Sequence, residues 1–572
     1  MNQAQLSKMA LGKEKAPLVL KNATIVNVFT HSLQKGDIAI AGSLILGIGS
    51  FNGEKEVDLE GKFVAPGFFD AHVHIESSML VPSQFAKLVM PKGTTSIIAD
   101  PHEIGNVCGV EGIDFMMSSA KLSPLDIFMM MPSCVPSTIY ETTGKKIGKT
   151  EIIDFEKTKK CFGLGEVMDY PNVISGGKDI YDKIDLFSDR VKDGHAPFIT
   201  GLELNSYLLS GIKTDHESST KEEMLEKVEK GMYVMLREGS ATRNVEALTP
   251  FISEKFSHRL LFCTDDKHPK DIVKEGHINF NINKAILLGL DPITAIQMAT
   301  INTATAYHLE KYGAIAPGYF ADIVVFNDLY NIEPTIVYKK GELVADGKKY
   351  LANQFIYENN NVFESVHIDI PKISFKIPLK SNIVHVIGFE KNNVTTTNLV
   401  REVLVENGLY IQEKHRNILK LAIVERHHFS GNVGLALIEG YGLQNGAIAM
   451  TIAHDSHNLV IIGDSDEDMM VALHEINRIK GGIAIVSQGK VLSSLELEVA
   501  GLMTQKDYTH VCDRLNLMNS HARKLGVSND IDDPFLNLAF LSLPVIPKLK
   551  VTDFGLFDVE AFKLIPLEVD EA

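Results

Sequence analysis

Two histidines one residue apart, in the run Phe68-Phe69-Asp70-Ala71-His72-Val73-His74-Ile75-Glu76, are the strongest sign of chemistry in the chain. They follow an apolar stretch that reads as a strand, and side chains alternate along a strand. His72 and His74 therefore face one way and Val73 the other, so the pair can chelate a metal ion. A His-x-His taken alone is more often packed or solvated than ligating. Its company downstream changes that: Asp100, Glu166, His195, His216, Arg237 and Asp265 each close an apolar run. Four histidines and two carboxylates, namely His72, His74, Glu166, His195, His216 and Asp265, suit two divalent ions. Imidazole with carboxylate favours Zn, Mn or Fe(II); Ca or Mg would need more oxygen, and Cu(I) or Fe–S clusters would need thiols. Glu166, in the middle of the chain order, is placed to bridge both ions. Asp265 can bind one ion and accept a proton from a shared water, whose pKa two cations lower into the neutral range. The chemistry expected is hydroxide attack on an electrophilic carbon.

Positioning these residues needs a scaffold that gathers strand ends. From 66 to 305, strand-like runs alternate with helix-period runs, the grammar of a (β/α)8 barrel. Eight runs qualify: Gly67 to His74, Thr94 to Asp100, Ile127 to Val135, Cys161 to Val167, Val191 to His195, Gly211 to His216, Met232 to Arg237, and Arg259 to Asp265. Active sites of this architecture sit at the C-terminal ends of the strands, where the polar residues fall. Short β-rich runs split by Gly and Asp turns precede the barrel (Leu18 to Leu20, Ala23 to Val28, Ile38 to Ile40, Ser43 to Ile48). Others follow it (Gly318 to Phe326, Thr335 to Val344). They predict a split, small β-sandwich module made of 1–65 plus 306–355. After an Asn/Glu-rich link around Tyr357 to Glu364, a C-terminal α/β domain is expected over 372–572. Its strands should include Val384 to Ile387, Ala422 to Arg426 and Asn458 to Ile462, with a helix from Glu467 to Lys480 and a strand pair near Ile483 to Leu492. The fold class is α/β.

Composition narrows the partners. The chain has 572 residues, 45% hydrophobic and 23% charged, which fits two or three globular domains with large cores. A formal charge of −17 without any Lys/Arg-rich run argues against nucleic acid or an anionic membrane as partner and leaves a small ligand. Five scattered cysteines, Cys108, Cys134, Cys161, Cys263 and Cys512, read as reduced thiols, which fits the cytosol. No apolar run is long enough to span a bilayer, and the N-terminus lacks the plan of a signal peptide.

The His-x-His after Pro66-Gly67, the strand-end His195 and His216, Asp265 and the closing Gly318 to Ile323 stretch resemble the amidohydrolase superfamily of metal-dependent barrel hydrolases. More narrowly, Pro66 to Ser78, Asp100-Pro101-His102-Glu103-Ile104-Gly105-Asn106-Val107, Gly165-Glu166-Val167-Met168 and Asp193-Gly194-His195-Ala196-Pro197 resemble the bacterial adenine deaminase family. So do Thr214-Asp215-His216-Glu217, Arg237-Glu238-Gly239-Ser240 and Thr264-Asp265-Asp266, and the likeness spans nearly the whole chain. It includes Ala453-His454-Asp455-Ser456-His457-Asn458, which other amidohydrolases would not be expected to share. Many of those bridge their metals with a carboxylated lysine on the fourth strand. Here Glu166 stands in that place, and Lys159 and Lys160 precede the strand. The resemblance implies hydrolysis of adenine to hypoxanthine and ammonia, with Mn(II) or Fe(II) as working metals and Zn(II) as a further candidate. It also implies a cytoplasmic role in purine salvage or adenine catabolism. The expected assembly is a homo-oligomer, a dimer first.

Around the ligands, Glu76, His102, Glu103 and Arg237 are expected to contact substrate, with His454, Asp455 and His457 leaning over the mouth from the C-terminal domain. Glu217, next to His216, is a candidate to carry a proton to a ring nitrogen if the strand has ended before it. His258, His268 and His277 read as solvated or structural. Two alternatives stand beside this reading: another amidohydrolase acting on a different aminopurine or cyclic amide, and a non-catalytic scaffold barrel. A scaffold has no reason to keep all six ligands.

Overall fold

The computed structural model describes residues 2–569 apart from 354, 358, 391–393 and 414–415. Eight parallel strands follow one another in chain order: Phe68–Val73, Thr94–Ala99, Asp126–Met129, Leu164–Val167, Lys192–Gly194, Thr214–Asp215, Tyr233–Arg237 and Leu260–Cys263. A bridge from Met131 to Leu164 joins the third strand to the fourth. Another, from Val73 to Asp265, joins the first to the eighth and closes the barrel. Between the fifth and sixth the link is a side chain, the Gly194 N–H donating to the Thr214 hydroxyl at 3.1 Å. All eight predicted strands are present, and most are shorter than their apolar runs. The sixth holds two residues and follows a turn that closes at Gly211, whose φ is +90°.

The two flanking β pieces form one nine-stranded sheet, joined where Ile323–Phe326 pairs antiparallel with Phe63–Pro66. Leu18 to Leu20 and Ala23 to Val28, read as separate strands, are a single strand, Ala16–Asn27, with an irregularity between Leu20 and Ala23. Asn22 there has φ +56°, which takes the chain out of the ladder for one step. One edge of this strand accordingly pairs first with Gly53–Asp58 and then with Phe63–Pro66. The second of these runs through Gly67 into the first barrel strand, so the sheet fixes the approach to His72.

The C-terminal region is built on an eight-stranded sheet in the order Thr396–Glu402, Ile383–Phe389, Val433–Glu439, Ile418–Val424, Leu459–Gly463, Ala447–Met450, Gly482–Ser487 and Lys490–Glu496. Strand periodicity sorts its two faces. Leu419, Leu421 and Ile423 join the core that continues into the barrel, whereas Ala422 and Val424 pack under the helix Asp466–Ile479 with Met469, Ala472, Leu473 and Ile476. That helix starts where Ser465 accepts the Asp468 N–H, carries Asp466, Glu467 and Asp468 in its first turn, and ends at left-handed Lys480. Among the described residues no helix is long and apolar enough to cross a membrane. All five cysteines are free, as expected of reduced thiols, and Cys108 and Cys512 lie on helices.

Candidate active site

His72 and His74 leave the first barrel strand on one side, as period two demands, and their Nε2 atoms stand 3.1 Å apart. Asp265 lies two residues past the eighth strand at φ +58°. This turn brings its Oδ1 to 3.6 Å from His72 Nε2 and 3.1 Å from His74 Nε2. Glu166, on the fourth strand, stands between two groups of donors. Its Oε1 is 3.3 Å from His74 Nε2, while Oε2 is 2.9 Å from His195 Nδ1 and 3.3 Å from His216 Nε2. The six expected ligands are therefore together, all buried except the half-buried His195.

The donors fit a divalent cation. A carbonyl cannot donate, so the 2.9 Å contact between His74 Nδ1 and the Asp100 oxygen places the ring proton on Nδ1. The His74 Nε2 lone pair then points at another imidazole nitrogen and at two carboxylates. A divalent cation satisfies such a convergence of acceptors, and a ligating histidine anchored through its other nitrogen is the usual arrangement. Lys159, by contrast, pairs with Asp114 and with the Ser118 hydroxyl, away from this cluster.

Charge is arranged to keep the carboxylates ionised. Burial pushes the Glu166 carboxyl up, but His195, His216 and His74 hold it well below the ordinary carboxylate range. Asp265 is likewise pushed up by burial and held well below that range by Arg237, His72 and His74. Arg237 Nη1 lies 2.5 Å from Glu217 Oε1 and 2.7 Å from Asp265 Oδ2, so its guanidinium clamps two acids. Glu217 does face the site: the sixth strand ends at Asp215, and Glu217 Oε1 lies 3.4 Å from His216 Nε2 and 3.7 Å from His195 Nδ1. Against the effect of burial, Arg237 holds it ionised.

The remaining expected residues line the side that meets the C-terminal domain. Glu76 sits in the turn Ile75–Ser78, accepts the Ile104 N–H at 3.3 Å through Oε1, and has no partner for Oε2 among the described residues. Burial and the nearby Glu103 push it up to about 8. His102 and Glu103 open the helix His102–Cys108 that follows the second strand. His102 Nδ1 is 3.4 Å from Glu166 Oε1, and its Nε2 is 3.8 Å from Asp455 Oδ1. Glu103 Oε1 is 3.1 Å from His454 Nδ1. His457 is buried and does not reach the six ligands; its Nδ1 accepts the Ala453 N–H at 3.2 Å. His277 and His268 are buried in structural contacts, with Thr94 at 2.8 Å and with Asp533 at 3.1 Å, and His258 is exposed.

Sequence reasoning placed Asp100 at a strand end without giving it a role, and missed three further acids and one hydroxyl. Ser77 donates to Glu103 at 3.1 Å and to Asp266, whose carboxyl is raised by burial and by its neighbour Asp265. Asp100 accepts the Glu166 N–H, Asp193 Oδ2 lies 3.8 Å from His72 Nδ1, and buried Glu141 accepts from Ser137 at 2.7 Å near Asp455. Of the three missed acids only Asp266 carried a signal, as the second member of an Asp-Asp pair at a strand end.

Residues 63–344 match the model of the amidohydrolase family, and residues 393–563 match the adenine deaminase C-terminal domain. The chain is 46% identical to the adenine deaminase of Clostridium acetobutylicum, over 97% of this chain and 98% of that protein. It is 45% identical to adenine deaminase 2 of Carboxydothermus hydrogenoformans, over 99% of each. Among solved structures it is similar to an enamidase of the amidohydrolase superfamily, at 17% identity and a TM-score of 0.44, over 57% of this chain and 96% of that one. With identity of this order sustained from end to end, across barrel and C-terminal domain alike, the chain belongs to the adenine deaminase family of amidohydrolases.

Proposed function

We propose that this chain hydrolyses the C–NH2 bond of adenine, giving hypoxanthine and ammonia, with two divalent ions, Mn(II) or Fe(II), held by His72, His74, Glu166, His195, His216 and Asp265. The observation that carries the reading is Glu166, whose two oxygens face separate sets of imidazoles, His74 on one side and His195 with His216 on the other. Bound ions of this kind supply a nucleophile at neutral pH by lowering the pKa of water.

The chain's own residues do the rest. Asp265, kept ionised by Arg237, accepts the proton of the attacking water and returns it to the departing amine, so that water adds across the carbon–nitrogen bond and ammonia leaves. Glu217, also ionised, is an acceptor, and its role is to take a hydrogen bond from a purine N–H. Glu76, His102, Glu103, His454, Asp455 and His457 hold the ring on the C-terminal side.

The test is a purine panel with ammonia detection on protein loaded separately with Mn(II), Fe(II) and Zn(II). Adenine should yield hypoxanthine and ammonia in equal amounts. Turnover of another aminopurine with none of adenine would move the chain to a different substrate.

A further inference from the structure

Among the described residues Arg426 is the largest fully buried side chain, two residues past the strand Ile418–Val424. Its guanidinium forms no pair with the neighbouring Glu425, whose carboxylate instead accepts the N–H groups of His428 at 2.7 Å and Ser430 at 3.0 Å. Burial pulls the Arg426 guanidinium down to about 10. Its N–H groups go to main-chain oxygens: Nε to His457, Nη1 to Ser365 at 3.0 Å, and Nη2 to Ala500 at 3.0 Å, with the Ser365 hydroxyl at 3.1 Å from Nη1. A cation taken out of water and shared among carbonyls of three separate segments is a costly way to hold a fold together.

Two of those segments touch the barrel mouth. The loop ending at His457 carries His454 to Glu103 and Asp455 towards His102. The segment around Ala500 continues to Thr504, whose N–H donates to Met79 at 3.0 Å and whose carbonyl accepts the Val81 N–H at 3.2 Å, directly after the Ile75–Ser78 turn that carries Glu76. We propose that Arg426 is a positioning residue for catalysis: it ties the 453–458 loop to the 499–504 segment, so that His454 and Asp455 are held against Glu103 and His102. The planar fork, with donors diverging towards three carbonyls, suits this task; a lysine offers one compact ammonium and cannot span them. The inference rests on the reading of the barrel mouth as the site of adenine hydrolysis.

The test compares wild type with R426K, R426M and R426A in the full-length, metal-loaded chain. Metal content should stay at the wild-type level while kcat for adenine falls by about 10²-fold, the order expected when reacting groups are displaced by an ångström. Added guanidinium should restore part of the activity of R426A. Amide hydrogen exchange should quicken in 453–458 and 499–504 and stay unchanged in the barrel strands, which a general loss of stability would not produce. If R426A does not fold, R426K carries the same readouts. Wild-type kcat and KM in every folded variant, or exchange that quickens evenly through the chain, would overturn the proposal. Because exchange needs no substrate, it decides the positioning role even if adenine proves not to be the substrate.

Discussion

The Asp100 carboxylate accepts the backbone N–H of Glu166 at 2.8 Å, and the same residue's carbonyl takes the Nδ1–H of His74 at 2.9 Å. One residue at the end of the second strand thus aims a ligand on the first strand and another on the fourth. It can come this close only because position 165 is glycine: a Cβ there would stand 2.2 Å from Asp100 Oδ2 and 2.7 Å from its Cγ. Gly165→Ala must push Asp100 aside. Loss of such a supporting contact typically costs about 10- to 100-fold in metal affinity or activity. Equilibrium metal titration and adenine turnover on the folded variant should both show it; unchanged affinity and turnover would mean that Asp100 is not a support.

Glu166→Gln addresses the shared ligand itself. A neutral amide cannot balance two cations as a carboxylate does, so bound metal and turnover should fall in step. A variant that keeps its full metal content and near-normal turnover removes Glu166 from the bridge.

A carboxylate bridge also needs no carbon dioxide. Reconstitution of metal-free protein with Mn(II) should therefore proceed equally well with and without bicarbonate. A strong bicarbonate requirement would point to a carboxylated lysine, against the pairing of Lys159 with Asp114.

How much of this was legible in the sequence follows from the range of each physical signal. His72 and His74 were readable because strand periodicity acts over two residues, and the strand ends were readable because each follows an apolar run. The direction of Glu217 was not, since it depends on the sixth strand stopping at Asp215, and apolar patterning does not mark ends that finely. Ser77 and Asp100 look like ordinary loop and strand-end residues until the fold brings them to Glu103 and Glu166. Arg426 was hidden by its own surroundings: a charged residue at the end of an apolar strand reads as a solvated cap, and the carbonyls its guanidinium meets lie 31 to 74 positions away.

Asp265→Asn separates metal binding from proton transfer. Five ligands remain, and the Arg237 clamp keeps its contact with Glu217, so much of the metal should stay bound. The amide cannot accept the water's proton, and turnover should drop by roughly 10²- to 10⁴-fold, the usual contribution of a general acid or base. Near-wild-type kcat would exclude Asp265 from the chemistry.

Lys550 gives the fold a pH dependence that can be isolated. It is fully buried on the strand Leu549–Thr552, and its Nζ donates to the carbonyls of Val394 at 2.7 Å and of Phe540 at 2.9 Å. The Phe540 ring stacks on His454 at 4.5 Å. Burial pulls the Lys550 ammonium down to about 7 from 10.5. Between those two values the unfolded chain binds a proton that the folded chain does not, so this residue makes stability rise with pH across that window. Below pH 7 both states are protonated and the full cost of burying the charge is present; above 10.5 neither is, and the cost is gone. Lys550→Met removes the group. In urea unfolding from pH 7 to pH 10, the stability of wild type relative to K550M should climb steadily; a difference that stays flat across that range would show that Lys550 remains charged in the folded protein.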